Sequence, residues 1–289
     1  MARFIRLKEQ KLNRTAPAHP TSLQLKRSDS TLEDVDFDLT TDENGFISTG
    51  VKTDPTKPSL FFIGGSLVES SFAHPQDRFV AQVAENLDWN VFNAGYSGTT
   101  LLQSCLMIMC KLPMLAKAGD TVVLFVSQSD ANAARSKGGY WTNNSTYSPL
   151  KPPAEQAPEI EFSFKHTETL LDTISVFLEG MGIGLVVVSS PYRRIDWTTD
   201  KWIRGNYGSL EAFEKAQELR RGLNEAAQSH SVLSGVQFLD LAAEIDGEPE
   251  LFYDEQHFNK AGHTRAAEII YEYLIDNGVP ARGVDWTID

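Results

Sequence analysis

The sequence predicts an α/β sandwich of three layers built around a mainly parallel five-stranded sheet. Two observations carry that expectation: short runs of β-branched and aromatic residues recur along the chain, and amphipathic stretches of helical period separate them. At 289 residues, with 41% hydrophobic and 22% charged residues, the chain is long and apolar enough to bury a sizeable core.

The strand runs come in order as SLFFIG (59–64), WNVFNAG (89–95), TVVLFVS (121–127), GLVVVSS (184–190) and GVQFLDL (235–241). Each has turn residues at one or both ends, as strands buried on both faces require. Between the first two, DRFVAQVAENL (77–87) places apolar residues at 79, 80, 83, 84 and 87, which fall on one helical face. TTLLQSCLMIMCKLPMLAKAG, HTETLLDTISVFLEGMG, SLEAFEKAQELRRGLNEAAQ and KAGHTRAAEIIYEYLIDNG supply the later helices. Right-handed crossovers in such a doubly wound, flavodoxin-like arrangement put the carboxyl ends of all five strands on one edge.

Ahead of this pattern, residues 1–58 are polar, charged and dotted with proline, an irregular lead-in that wraps a single domain at 59–289. Two long loops interrupt the rhythm. Residues 131–165 are rich in Gly, Pro, Asn and Ser, and residues 191–208 mix Arg with Trp and Tyr. Both follow strand ends, where an open α/β sheet places its ligand crevice.

The net charge of −13 argues against a general nucleic-acid binder, because phosphate affinity comes from clustered Lys and Arg. The charge is uneven: residues 1–27 hold seven basic residues and one acid, so the remainder carries −19. That basic start lacks the apolar run of a secretory signal, and the apolar stretch around LLQSCLMIMCKL is too short to span a bilayer. A cytoplasmic protein is expected. Cys105 and Cys110, five apart on a helix, face different directions and are expected to be buried and unpaired.

In FFIGGSLVES the first strand runs into two glycines and Ser66. A serine there caps the following helix, holds a phosphate, or acts as a nucleophile, and the last requires a base. FYDEQHFNKAGH supplies one: Asp254 and His257 sit three apart before the final helix, so the carboxylate can orient the imidazole and leave Nε2 for the serine. His257 and His263 could form a metal pair with Asp254, but helical zinc sites favour a four-residue spacing, so no metal is expected. GGSLVE has neither the spacing of a dinucleotide fingerprint nor the lysine of a P-loop.

GGS at 64–66, NAGYSG at 93–98, SQSD at 127–130 and DEQH at 254–257 occur in the order of the SGNH (GDSL-like) hydrolases, which the chain resembles from about residue 59 to residue 276. The resemblance implies Ser66 as nucleophile, His257 as general base and Asp254 as the orienting acid. It also implies that the backbone N–H of Gly95 joins that of Ser66 in holding the oxyanion. Gly65 stands where the family name implies Asp. Ser129 stands where the third oxyanion donor is an asparagine, and Asn132, a turn further on, is a possible replacement.

Arg193 and Trp202 are candidates for substrate binding, the first as a clamp for an anionic group and the second as a stacking surface. Trp141 and Trp197 share the stacking reading, against the simpler one that loop aromatics pin long loops to the core, and Arg194 and Arg204 share the clamp reading, against that of solvated or paired surface arginines. Asp130 reads as a structural cap. The expectation is a serine esterase acting on a small acyl ester, such as an O-acetyl group on a carbohydrate, with no metal or organic cofactor. Acyl transfer to a sugar, and a non-catalytic carbohydrate- or phosphosugar-binding relative, are the alternatives.

Overall fold

The computed structural model describes residues 2–126, 128–279 and 281–282. Its elements are β1 (Phe4–Ile5), β2 (Thr15–Ala18), α1 (Ser22–Lys26), β3 (Phe37–Thr40), β4 (Ser59–Gly64), α2 (Ser66–Glu69), α3 (Phe79–Asn86), β5 (Asn90–Gly95) and α4 (Leu101–Cys110). There follow β6 (Thr121–Phe125), α5 (Gln128–Ala134), β7 (Leu150–Lys151), α6 (Phe164–Gly180), β8 (Gly184–Val188), α7 (Leu210–Ser234), β9 (Gln237–Leu239), α8 (Leu241–Ile245) and α9 (Lys260–Asp276).

The five strands foreseen from their apolar runs form one sheet in the order β5-β4-β6-β8-β9, parallel throughout. The chain starts near one side of the sheet, steps outward to β5 and then crosses back past β4. That reversal opens a crevice at the carboxyl end of β4, where open α/β sheets bind their ligands. Alternation along β4 divides the core. Leu60 and Phe62 pack with α3 and α9 on one face, while Phe61 and Ile63 pack with α4, α6 and α7 on the other.

Apart from β4, the strands are shorter than the apolar runs read from the sequence, most of all the last. GVQFLDL is strand only over Gln237–Leu239, because Asp240 caps α8 by accepting the N–H of Ala243 at 3.2 Å. Cys105 is buried as expected, but Cys110 ends α4 on its exposed side, and both thiols are free. Ser127 and residues 283–289, the end of the 59–289 stretch, lie outside the described residues.

The lead-in packs along the domain. β2 and β3 pair with each other and β1 pairs with β7, all antiparallel. Ile47 donates its N–H to Asn93 O at 2.8 Å and so covers part of the outer edge of β5. Phe46 is buried against Phe61 and Phe92. Lys111 reaches from the end of α4 to Glu9 at 2.8 Å and to Asn44 O at 2.5 Å. No helix among the described residues is long and apolar enough to cross a membrane.

Gly64 and Gly95 are register partners at the carboxyl edge, and α2 lies directly over them. A Cβ on Gly95 would stand 2.2 Å from Glu69 N and 2.6 Å from Val68 C, both backbone atoms that cannot rotate away. Gly95→Ala is therefore expected to cost about 2–3 kcal/mol. Gly180→Ala, where a Cβ meets nothing within 4 Å, is expected to leave stability unchanged or slightly raised. Urea unfolding of both variants against wild type measures the contrast.

Candidate active site

Ser66 reaches its position by geometry that begins in β4. Gly64 ends the strand in a space that a Cβ could not share with Val68 Cγ2 at 2.6 Å. Gly65, not Ser66, then occupies the N-cap of α2, so Ser66 is the first residue of a single helical turn. That turn stops at Ser70, held at φ 53° in the left-handed region with its hydroxyl on Leu67 O at 2.7 Å. Buried Arg78 fixes the same point, donating to Ser70 O at 3.1 Å and to Asp38 O at 2.6 Å. Burial, the largest influence, pulls the Arg78 pKa down to about 10, against the opposing pull of Glu69 and Asp38.

Asp254 and His257 come from the turn before α9. Asp254 Oδ1 accepts the N–H groups of Gln256 at 2.9 Å and His257 at 2.8 Å, which closes the turn. Its Oδ2 lies 2.7 Å from His257 Nδ1, and His257 Nε2 lies 2.7 Å from Ser66 Oγ. A carboxylate only accepts, so Nδ1 carries the proton and Nε2 is left to accept from the serine hydroxyl. Tyr253 stacks on the imidazole at 5.5 Å and 12°. Burial alone would lower the His257 pKa; the charge and hydrogen bond of Asp254, with Glu255 and Glu69, outweigh it and raise the pKa above 6.5. Burial likewise works to raise Asp254, but His257 and the two backbone donors hold it below the usual carboxylate value.

The residue between them anchors the turn. Glu255 pairs with buried Arg220 of α7 at 3.0 Å and accepts the Tyr207 hydroxyl at 2.9 Å. Arg220 also donates to Tyr207 at 2.9 Å and lies over the Tyr192 ring at 4.8 Å. On the opposite side, Glu69 accepts from Gln10 of the lead-in at 2.5 Å and from the N–H of Ser97 at 3.1 Å, with a short bond from the Ser97 hydroxyl.

The remaining sequence candidates are placed as follows. The N–H of Gly95 donates to Asn93 Oδ1 at 2.9 Å, so any oxyanion must share it with that acceptor. Ser129 is buried in the first turn of α5, and it is Asn132, one turn on, that lines the cleft beside His257. Arg193 and Trp202 do not line that cleft. Arg193 is paired with Asp29, donates to Phe252 O at 2.9 Å and lies over the Trp202 ring at 5.4 Å. Trp197 packs on Phe213, as expected of a loop pin, and Arg204 bonds Trp197 O at 2.9 Å. Trp141 meets Tyr140 and His166 edge-on. Asp130 accepts the N–H of Leu101 at 2.6 Å, at the start of α4.

His263 is buried on α9, and its Nδ1 accepts the N–H of Phe79 at 3.4 Å. Burial, with Arg78 and His257 nearby, lowers its pKa to about 3, which keeps it neutral. Among the described residues no group of three or more His, Cys, Asp or Glu could hold a metal ion.

The cleft beside His257 encloses about 320 Å³ and is lined by the lead-in residues Leu23, Gln24 and Arg27, by Asn132 and Arg135, and by the 253–257 turn. Ser66 itself borders two much smaller spaces, each about 10 Å³. The sequence did not reveal that α1 would form a cleft wall.

No family model matches the sequence, and no curated protein matches it. Solved structures do. A member of the lipolytic G-D-S-L family from Veillonella parvula superposes with a TM-score of 0.52 at 12% identity, over 75% of this chain and 98% of that one. An acetyl xylan esterase from Geobacillus stearothermophilus, a variant form, gives 0.52 at 15% identity over 79% and 98%. A carbohydrate acetylesterase from Sinorhizobium meliloti gives 0.50 at 16% over 76% and 100%. The chain has the fold of these hydrolases.

Because the base must be neutral to accept a proton, any turnover at Ser66 is expected to fall as pH drops through the raised His257 pKa, with a midpoint above 6.5. Asp254→Asn removes the charge that raises it, so the midpoint moves to lower pH while the plateau falls about 10³–10⁴-fold. A pH–rate profile of kcat/KM for both proteins reads the two effects separately.

Proposed function

We propose that this chain is a serine esterase that removes a small acyl group, foremost an O-acetyl group, from a carbohydrate. The observation that carries the reading is the hydrogen-bonded line from Asp254 through His257 to Ser66, 2.7 Å at each step. Surface serines rarely meet a histidine whose other nitrogen is held by a buried carboxylate, and that arrangement is what makes a hydroxyl nucleophilic near neutral pH.

Ser66 Oγ attacks the acyl carbonyl as its proton passes to His257 Nε2. The bond from the carbonyl carbon to the alcohol oxygen then breaks, and the alcohol leaves with that proton. Water, activated by the same nitrogen, attacks the acyl-serine and releases the carboxylic acid and free Ser66. Asp254 stabilises the imidazolium in both halves. The oxyanion is held by the Ser66 N–H and by the NAGYSG loop. There the Gly95 N–H is shared with Asn93.

The spaces of about 10 Å³ at Ser66 leave little room beside the hydroxyl, which favours a small acyl group over a long one. The larger cleft supports a polar alcohol: its walls carry the amides of Gln24, Asn132, Asn206 and Gln256 and the rings of Phe72, Tyr207 and Tyr253. Two of the structural neighbours are named as carbohydrate and xylan acetylesterases, which agrees with that alcohol class.

Acetate release from p-nitrophenyl acetate and from acetylated sugars tests the proposal. Ser66→Ala and His257→Ala are each expected to lose at least about 10³-fold in kcat with the fold intact by circular dichroism. Wild-type rates no higher than those of Ser66→Ala on every ester would defeat it.

A further inference from the structure

The cleft beside His257 has a charge pattern at odds with the rest of the molecule. Four of its lining residues carry charge as arginine or carboxylate: Arg27, Arg135, Asp254 and Glu255. Glu255 is matched by Arg220 at 3.0 Å, and Asp254 is engaged by His257 Nδ1 and by the N–H groups of Gln256 and His257. Neither arginine has a carboxylate within ion-pair distance among the described residues. Arg3, Arg193, Arg194, Arg220 and Arg265 each have one. Two arginines without a carboxylate partner therefore line this cleft, Arg135 at its border with a second hollow, in a chain whose net charge is −13.

Arg135 is held by its neighbours, whereas the Arg27 side chain is exposed at the cleft wall. Arg135 lies over the Tyr207 ring at 5.6 Å, and one of its terminal nitrogens donates to Asn132 Oδ1 at 2.5 Å. Tyr207 is itself fixed to Glu255. Arg27 ends α1 and runs past Gly205, where a Cβ would lie 3.8 Å from its Cγ and 3.9 Å from its Nε. Its segment is fastened two residues on: Asp29 pairs with Arg193, and the Asp29 N–H donates to Tyr253 O at 2.7 Å. A guanidinium offers five N–H donors in a fork matched to carboxylate, sulfate and phosphate oxygens. Most of those donors here point to no protein acceptor.

We propose that Arg27 and Arg135 bind an oxyanion carried by the alcohol portion of the ester, so that the substrate is a small-acyl ester of an acidic sugar. The assignment rests on the esterase reading for its orientation: the acyl group is confined to the small spaces at Ser66, which leaves the cleft, and its two cations, to the alcohol. The chain's overall charge of −13 repels such a ligand, and the two arginines supply a local attraction against it.

The test compares three acetylated methyl glycosides: a glucuronoside, its neutral uronate methyl ester and a glucoside, with 6-sulfated and 6-phosphorylated glucosides to identify the preferred oxyanion. The wild type is expected to prefer an anionic ester over its neutral counterpart by roughly 10–100-fold in kcat/KM. Arg135→Gln and Arg27→Gln are expected to lower that ratio about tenfold each, and 0.5 M salt to lower it in the wild type. A ratio near one in the wild type, or variants that keep the wild-type ratio, would overturn the assignment. Calorimetric binding of methyl glucuronoside and methyl glucoside separates this failure from failure of the esterase reading. Tighter, salt-sensitive binding of the glucuronoside that Arg135→Gln weakens tenfold, in a protein that hydrolyses no ester, upholds the arginine site and defeats only the catalysis. No preference in either binding or turnover defeats the arginine site.

Discussion

The contact between His257 Nε2 and Ser66 Oγ joins segments 191 residues apart, and the rest of the structure is arranged so that it can form. Ser66 stands at the end of a central strand, and His257 in a turn before the last helix. They meet because parallel strands with right-handed crossovers deliver every strand's carboxyl end to one edge. The Ser66 turn is set there by a steric device: Gly64 and Gly95 lie side by side, and α2 occupies the volume their side chains would have filled. A bulkier residue at either position would lift Ser66 away from the imidazole.

The turn that carries the histidine is held by charge. Its middle residue, Glu255, faces Arg220 on α7, and removing either partner would leave a buried charge unmatched, a larger penalty than the pair's net gain. Arg193 and Asp29 repeat the arrangement on the lead-in side and tie residues 28–30 to Phe252 and Tyr253. The same two turns of chain are thus gripped from the domain by Arg220 and from the lead-in by Asp29. Residues 1–58 are structurally part of the cleft, because α1 supplies one of its walls.

How much of this was legible follows from where each signal resides. The five strands were readable because each is a continuous apolar run, and Asp254 with His257 was readable because a three-residue spacing closes within one turn. Ser66 stood out through the glycines before it. The pairing of Arg193 with Asp29 was not legible, because the two are 164 residues apart in sequence and nothing local announces it. Gly95 matched a motif by position, yet its visible task is steric, and its N–H is engaged by the asparagine two residues earlier. The lead-in elements were hidden for a similar reason: β1 pairs with β7, nearly 150 residues on, and a two-residue strand has no period to read.

The unevenness of charge noted in the sequence acquires a use in the folded chain. The basic residues of the first 27 positions do not form a free tail. Lys8 is buried with its ammonium on Ser97 O at 3.1 Å, and burial, the largest influence, lowers its pKa to about 8. Arg6 bonds the carbonyl of Ser145 at 2.5 Å, which fastens the lead-in to the 131–165 loop. Lys8 thus braces the loop after β5, and Arg27, at the end of the same segment, enters the cleft. The parallel sheet belongs to a fold that tolerates very low sequence identity. What differs between members of such a fold lies outside the sheet, and in this chain the lead-in adds Leu23, Gln24 and Arg27 to the cleft wall.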